Sequence, residues 1–202
     1  EAYTWSLVTL DGRPASASNG LQMAPTTALD QAGAADIVFV VGGVQVEKAV
    51  NPSLLAALRR LAQKRVPLGS LCTGGYALAK AGLLDKYKAV IHWENLSALR
   101  EEFPRVEFSE QLFAIDRDRY TCTGGVAPLD LMLHLIREDL GREIVPLISE
   151  QFILDRIRND QDRQHIPLQA RVGLFHENLI EAAALMEANI EEPLSLDEIA
   201  AL

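Results

Sequence analysis

Cys72 is the residue in this chain best placed to do chemistry. It stands in Gly69-Ser70-Leu71-Cys72-Thr73-Gly74-Gly75, after an apolar run and before a helix-forming stretch. Small neighbours on both sides permit the sharp strand-to-helix turn of a nucleophile elbow, which projects the central side chain over a sheet edge. A helix N-terminus at that point would lower a thiol pKa and raise its reactivity. The competing reading is a small buried hydrophobe that ends a strand, since free cysteine is often buried. The flanking glycines favour the elbow.

A thiol nucleophile needs a base in hydrogen-bond reach and a third group that orients the base. His92, in Ala89-Val90-Ile91-His92-Trp93-Glu94, is the plausible base, at the end of a short strand. Glu94 is a candidate orienter, but residues along a strand point to alternate faces and the pattern leaves this open. Pocket lining by His92 and Trp93 is favoured over catalysis. His134 lies in an apolar helix, and His165 and His176 lie in polar surroundings. None pairs with a cysteine at metal-ligand spacing, so no metal site is expected. Gly42 and Gly43 end another apolar run but lack the third glycine of a dinucleotide fingerprint, and no nucleotide cofactor is expected.

Thr121-Cys122-Thr123-Gly124-Gly125 repeats the elbow pattern. It reads equally as a plain tight turn or as a rim bringing N–H groups and hydroxyls to a carboxylate at a helix N-terminus. Cys122 is also positioned to approach Cys72. The candidate ligand site is therefore Gly42, Gly43, Cys72, Thr73, Tyr76, His92, Trp93, Thr123 and Gly124. Tyr76 and Trp93 are its aromatic faces for an ammonium or quaternary ammonium group.

The elements that must position these residues recur three times as an apolar run, a small-residue turn and a helix. The runs are 37–41, 66–71 and 119–121, and the helices run from about Pro52 to Lys64, to about Ala81 before Gly82, and to Leu140 before Gly141. Strands apolar on both faces and alternating with helices indicate a mostly parallel sheet covered on both sides, with sites at the strands' carboxyl ends. The spacing also predicts an opening strand at Tyr3–Leu10, an extended stretch from Ser16 to Met23, and a helix from Leu96 to Glu102. A hairpin of Val106–Ser109 with Leu112–Ile115 and a helix from Ile144 to Arg158 complete the reading. The polar stretch from Arg158 to Gln164 reads as a boundary. Leu179, Ala182, Ala183, Met186 and Ile190 then form one helical stripe, and Ser195-Leu196-Asp197-Glu198 is a capping box opening another helix.

The chain has 202 residues, two cysteines and a net charge of −9. Two cysteines make no disulfide framework, and reduced thiols in the cytoplasm are the default expectation. No apolar run is long enough to cross a bilayer, so no membrane partner is expected. The negative charge repels phosphate, so these residues alone should not bind nucleic acid. The chain does not begin with Met and stops inside a helix, which reads as a fragment.

The motifs VGG, GSLCTGGYALAKAGLL, IHW, TCTGGVAPLDLMLHLI and PLSLDEIAAL, in this order, resemble the GlxA-like branch of the AraC/XylS-type transcription regulators. The resemblance implies a three-layer, flavodoxin-like sensor domain of the class I glutamine-amidotransferase (PfpI-like) type at 1–165. A linker helix at 166–193 and the start of a helix-turn-helix domain at 194–202 would follow, with DNA bound only through the part beyond Leu202. It implies a small nitrogenous effector such as arginine, glycine betaine or carnitine. A homodimer is expected because twofold pairing is common and such regulators read paired half-sites. The chain departs from the enzymes of the superfold. PfpI-type peptidases carry His directly after the elbow cysteine, where Thr73 stands here. Glutamine amidotransferases carry an H-x-E pair far downstream, which His92 and Glu94 imitate too close to Cys72. A first strand and helix would precede Glu1. The leading expectation is a binding module with no catalytic residues, Cys72 and His92 being vestigial. A cysteine hydrolase or amidotransferase is the alternative, and a Cys72 redox sensor a third reading.

Overall fold

The computed structural model describes residues 2–17, 19–164, 177–189 and 194–201. These fall into two compact units, 1–164 and 165–202. The first unit opens with β1 (Val8–Thr9), β2 (Ala15–Ser16), β3 (Gln22–Met23) and β4 (Thr27–Ala28). β1 pairs with β4 in parallel, and β2 with β3 as a hairpin. The expected strand over Tyr3–Leu10 thus shrinks to two residues. The stretch from Ser16 to Met23 folds back on itself, because Ala17 and Leu21 bond through a turn containing left-handed Gly20.

The main sheet has the order β5-β6-β10-β9, built from β5 (Val38–Val41), β6 (Leu68–Leu71), β9 (Phe113–Asp116) and β10 (Arg119–Cys122). β5, β6 and β10 are parallel and in level register, with Val41 opposite Leu71 and Leu71 opposite Cys122. Level register makes the segments after residues 41, 71 and 122 emerge at one edge, where such sheets carry their sites. β5 is an edge strand of this sheet, so its residues are only half-buried or exposed. β7 (Lys88–Val90) pairs in parallel with β8 (Glu107–Ser109), and the Val90 N–H donates to the buried Thr121 hydroxyl at 2.8 Å.

The predicted hairpin is therefore displaced. β8 joins β7, and β9 turns through left-handed Arg117 to pair antiparallel with β10. Lys88 and Asp116 favour this arrangement, since the Lys88 N–H donates to the Asp116 carboxylate at 2.9 Å.

The helices are α1 (Val46–Ala49), α2 (Pro52–Gln63), α3 (Gly75–Lys80), α4 (Leu96–Glu102), α5 (Ala127–Leu140) and α6 (Ile144–Gln151). Asn51 caps α2, its side chain accepting from the Leu54 N–H at 3.0 Å, and Pro52 occupies the first turn. Left-handed Gly82 and Gly141 follow α3 and α5. α6 ends at Gln151 rather than Arg158, because Ile153 takes a left-handed φ of 53° and Arg158 leaves to pair with buried Asp130.

One core joins Leu58, Leu68, Leu78, Leu84, Ile91 and Leu99, from the sheet and α2 to α4. The second, under α5, joins Leu112, Phe113, Cys122, Ala127 and Leu131. Each full burial of a leucine here contributes roughly 1.5–3 kcal/mol. Helices on both faces of the sheet make the three layers predicted.

The second unit contains α7 (Glu177–Ala188) and α8 (Leu196–Ala201). In α7, Leu179 and Met186 of the predicted stripe are more than half exposed; Ile190 and His176 lie outside the described residues. The capping box forms as predicted. The Glu198 N–H donates to the Ser195 hydroxyl at 3.3 Å, and the Ser195 N–H to the Glu198 carboxylate at 2.8 Å. The Ser195 N–H and the Ser195 hydroxyl, both donating to the Glu198 carboxylate, hold that carboxyl below its ordinary pKa.

Candidate functional site at the elbow

Cys72 has φ 58°, left-handed for a residue with a side chain. Such a conformation costs of order 1–3 kcal/mol and persists only where the surroundings enforce it. Here they do. The Cys72 N–H donates to the Thr123 carbonyl at 3.3 Å, and the Gly42 N–H to the Leu71 carbonyl at 3.2 Å. The Thr73 hydroxyl donates to the Gly43 carbonyl at 2.7 Å. A short 3-10 turn, Cys72–Gly74, leads into α3. The elbow is formed, and Gly42, Gly43 and Thr73 are its buttress.

Cys72, His92 and Gly124 converge. A Cβ on Gly124 would stand 2.9 Å from the Cys72 Sγ and 2.9 Å from the His92 Cδ2. His92 Nδ1 lies 3.7 Å from the Glu94 carboxylate, so both side chains fall on the same side after all. At that separation the pair is an ion pair when His92 is protonated, and too long for a hydrogen bond. The Trp93 ring lies 5.7 Å from the His92 ring, centroid to centroid, and is 45% exposed.

The helix-terminus argument for an activated thiol fails. Burial pushes the Cys72 thiol above its ordinary value of 9.0; the Thr73 N–H opposes this, and the negative Glu94 adds to it. Desolvation outweighs the Thr73 N–H. Alkylation of Cys72 by iodoacetamide should therefore be slow at neutral pH. Because the raised pKa keeps thiolate scarce below it, the rate should climb about tenfold per pH unit. A rate that levels off below about pH 8 would show a low-pKa thiol instead.

Two predicted site residues, Tyr76 and Thr123, behave differently. Tyr76 is buried in the larger core, edge-on to Phe103 at 5.9 Å, rather than at the strand ends. It belongs to the apolar face of α3. The Thr123 N–H donates to the Leu112 carbonyl, and its hydroxyl to Gln164 Oε1. Its donors, like the Thr73 hydroxyl, are thus committed within the protein. What the two hydroxyls retain are lone pairs, which suit an N–H ligand better than a carboxylate. Cys122 is wholly buried beside the Cys72 backbone, and desolvation pushes its thiol up to about 12. His134 packs on Phe113 in the second core.

Two residues escaped the sequence reading. Gln164 bridges Thr123 and the Ile91 carbonyl, to which its amide donates at 2.9 Å. Asp130 is buried and takes the Arg158 guanidinium. Both partners come from the polar stretch read as a boundary, and composition carries no sign that such a stretch folds back. Among the described residues no cluster of His, Cys, Asp and Glu could hold a metal ion.

An open, mostly parallel sheet with helices on both faces and a left-handed cysteine at a β-strand-to-helix turn defines a flavodoxin-like domain of the nucleophile-elbow class. The sequence model of the DJ-1/PfpI family matches residues 1–138, and the chain belongs to that family. Several of its relatives are named as regulators. It is 50% identical over 200 residues to the HTH-type transcriptional regulator GbdR of Pseudomonas aeruginosa, covering 99% of this chain and 54% of that protein. It is 32% identical over 192 residues to the HTH-type transcriptional regulator GlxA of Rhizobium meliloti, covering 95% and 59%. The chain thus spans little more than half the length of these relatives. Among solved structures, an AraC family transcriptional regulator from Pseudomonas putida aligns with a TM-score of 0.65 at 29% identity, covering 72% of this chain and 78% of that one. No helix among the described residues is long and apolar enough to cross a membrane.

Proposed function

We propose that this chain is the effector-sensing domain of an AraC-type transcription regulator. Its site at Cys72 takes a small nitrogenous metabolite, an amino acid or betaine-like cation. The observation that carries the reading is the convergence of Cys72, His92 and Gly124 beside Trp93 and Glu94. Burial moves the Cys72 thiol in the direction opposite to the one a nucleophile needs. Trp93 offers an aromatic face, Glu94 a negative charge, and the Thr73 and Thr123 oxygens offer acceptors, all of which suit a cationic nitrogen. The similarity to HTH-type regulators over nearly the whole chain supports the same reading. DNA would be bound by residues beyond Leu202, as a homodimer.

Calorimetric titration with arginine, glycine betaine and carnitine tests this. At least one should bind, and Trp93→Ala should weaken it roughly 2- to 30-fold, the worth of an aromatic face at about 0.5–2 kcal/mol. Gly124→Ala, which fills the space between Cys72 and His92, should weaken it more. Binding of a neutral sugar with failure of every cation would overturn the ligand class. The hydrolase alternative draws on the His92–Glu94 approach. Cys72-dependent glutaminase, esterase or peptidase turnover at about 1 per second or faster would establish it in place of the sensor.

A further inference from the structure

The segment 156–164 does not leave the fold as a free linker. Arg158 reaches back to Asp130 through its backbone N–H and guanidinium. Asp130 lies in the first turn of α5, directly after the Thr123–Gly125 turn. Asp162 turns the segment, accepting from Arg156 at 2.7 Å and from the Asn159 N–H at 2.8 Å. The backbone then pairs with the strand-like stretch before β9: the Leu112 N–H donates to the Asp162 carbonyl at 3.0 Å and the Gln164 N–H to the Glu110 carbonyl at 3.1 Å. At its last residue the Gln164 side chain spans two segments of the site. Its oxygen takes the Thr123 hydroxyl, and its nitrogen takes the Ile91 carbonyl beside His92.

Resting on the reading of this site as a sensor, we propose that Gln164 is a positioning residue. It clamps the Thr123–Gly124 turn against the Ile91–His92 strand end and makes the path of residues 156–164 depend on the state of the elbow site. Three features support this. Both anchors of the segment fall on pieces that carry site residues, or on the helix that follows them. The primary amide of Gln164 carries an acceptor and a donor on separate atoms, so it satisfies the Thr123 hydroxyl and the Ile91 carbonyl at once. Residue 164 is also the last of its compact unit, so the clamp sits where the chain leaves that unit. Coupling of this kind is reciprocal: whatever loosens the clamp must alter the site, and whatever fills the site must alter the clamp.

The test uses the whole 202-residue chain and needs no effector. Iodoacetamide is the probe, with mass spectrometry separating Cys72 from buried Cys122 and hydrogen exchange reporting on the backbone. Gln164→Ala should raise the Cys72 alkylation rate at least threefold (about 0.65 kcal/mol at 25 °C) and speed exchange at 156–164 and 91–95 together. Gln164→Glu keeps the acceptor for Thr123 and loses the donor to Ile91, and should fall between the two. Conversely, carboxamidomethylation of Cys72 in the unsubstituted chain should change exchange at 156–164. Faster exchange confined to 156–164, with the Cys72 rate unchanged in both variants, would overturn the clamp and reduce Gln164 to a local clasp. That outcome is independent of whether arginine or betaine binds, so failure of the effector reading is read separately by calorimetry.

Discussion

Gly42→Ala is expected to lower stability by roughly 3 kcal/mol or more, read as the urea midpoint at constant slope. A Cβ at position 42 would fall well inside contact distance of the Gly74 nitrogen and the Thr73 carbonyl carbon, and one at Gly74 would strike the Val40 carbonyl. The end of β5 and the elbow therefore touch backbone to backbone, and backbone cannot rotate away as a side chain can. Relief requires β5 and the 3-10 turn to separate, which breaks the bonds from the Gly42 N–H to Leu71 and from the Thr73 hydroxyl to Gly43. Gly74→Ala should cost a similar amount. Gly33, with open space around its missing Cβ, supplies the control, and Gly33→Ala should change stability by no more than about 0.5 kcal/mol. A midpoint for Gly42→Ala equal to that of the control would show that the elbow is not packed this closely.

Alkaline stability should depend strongly on Cys122. Its side chain is fully buried, and desolvation raises its pKa to about 12 from an ordinary 9.0. The folded chain thus holds this proton where the unfolded chain has released it. A raised folded pKa gives stability that is complete below the unfolded value and declines as pH rises toward the folded one. Across the window from about 9 to about 12, the loss attributable to this thiol is of order 4 kcal/mol. Tyrosines and lysines titrate in the same range, so the comparison must be with Cys122→Ala. That variant leaves a small cavity and should be less stable at neutral pH by roughly 1–2 kcal/mol. It lacks the alkaline penalty, so the two stability curves should converge and cross as pH rises. Curves that stay parallel to pH 12 would mean that the thiol ionises freely in the fold.

Much of this protein was legible from local pattern. The runs ending at residues 41, 71 and 121, each followed by small residues and a helix, follow from short-range rules. β-Branched runs favour strands, Asn51-Pro52 starts a helix, and Gly82 and Gly141 end helices. The elbow at Cys72 belongs here too, because its cause is the smallness of its neighbours. So does the Ser195–Glu198 capping box, whose partners are three residues apart.

Tertiary structure alone decided which groups meet. β8 paired with β7 and not with β9, because two strand candidates in sequence carry no label for their partner. Tyr76 fell in the core and Trp93 near the elbow, although both are aromatic and close to site motifs. The direction of the Cys72 pKa was likewise set chiefly by burial, and burial is a property of the packed molecule. Gln164 and Arg158 were invisible in a polar stretch because their partners, Ile91, Thr123 and Asp130, lie at least 28 residues away. Contacts at that separation are chosen by the level register of the parallel strands, which brings residues 42, 72 and 123 to one edge.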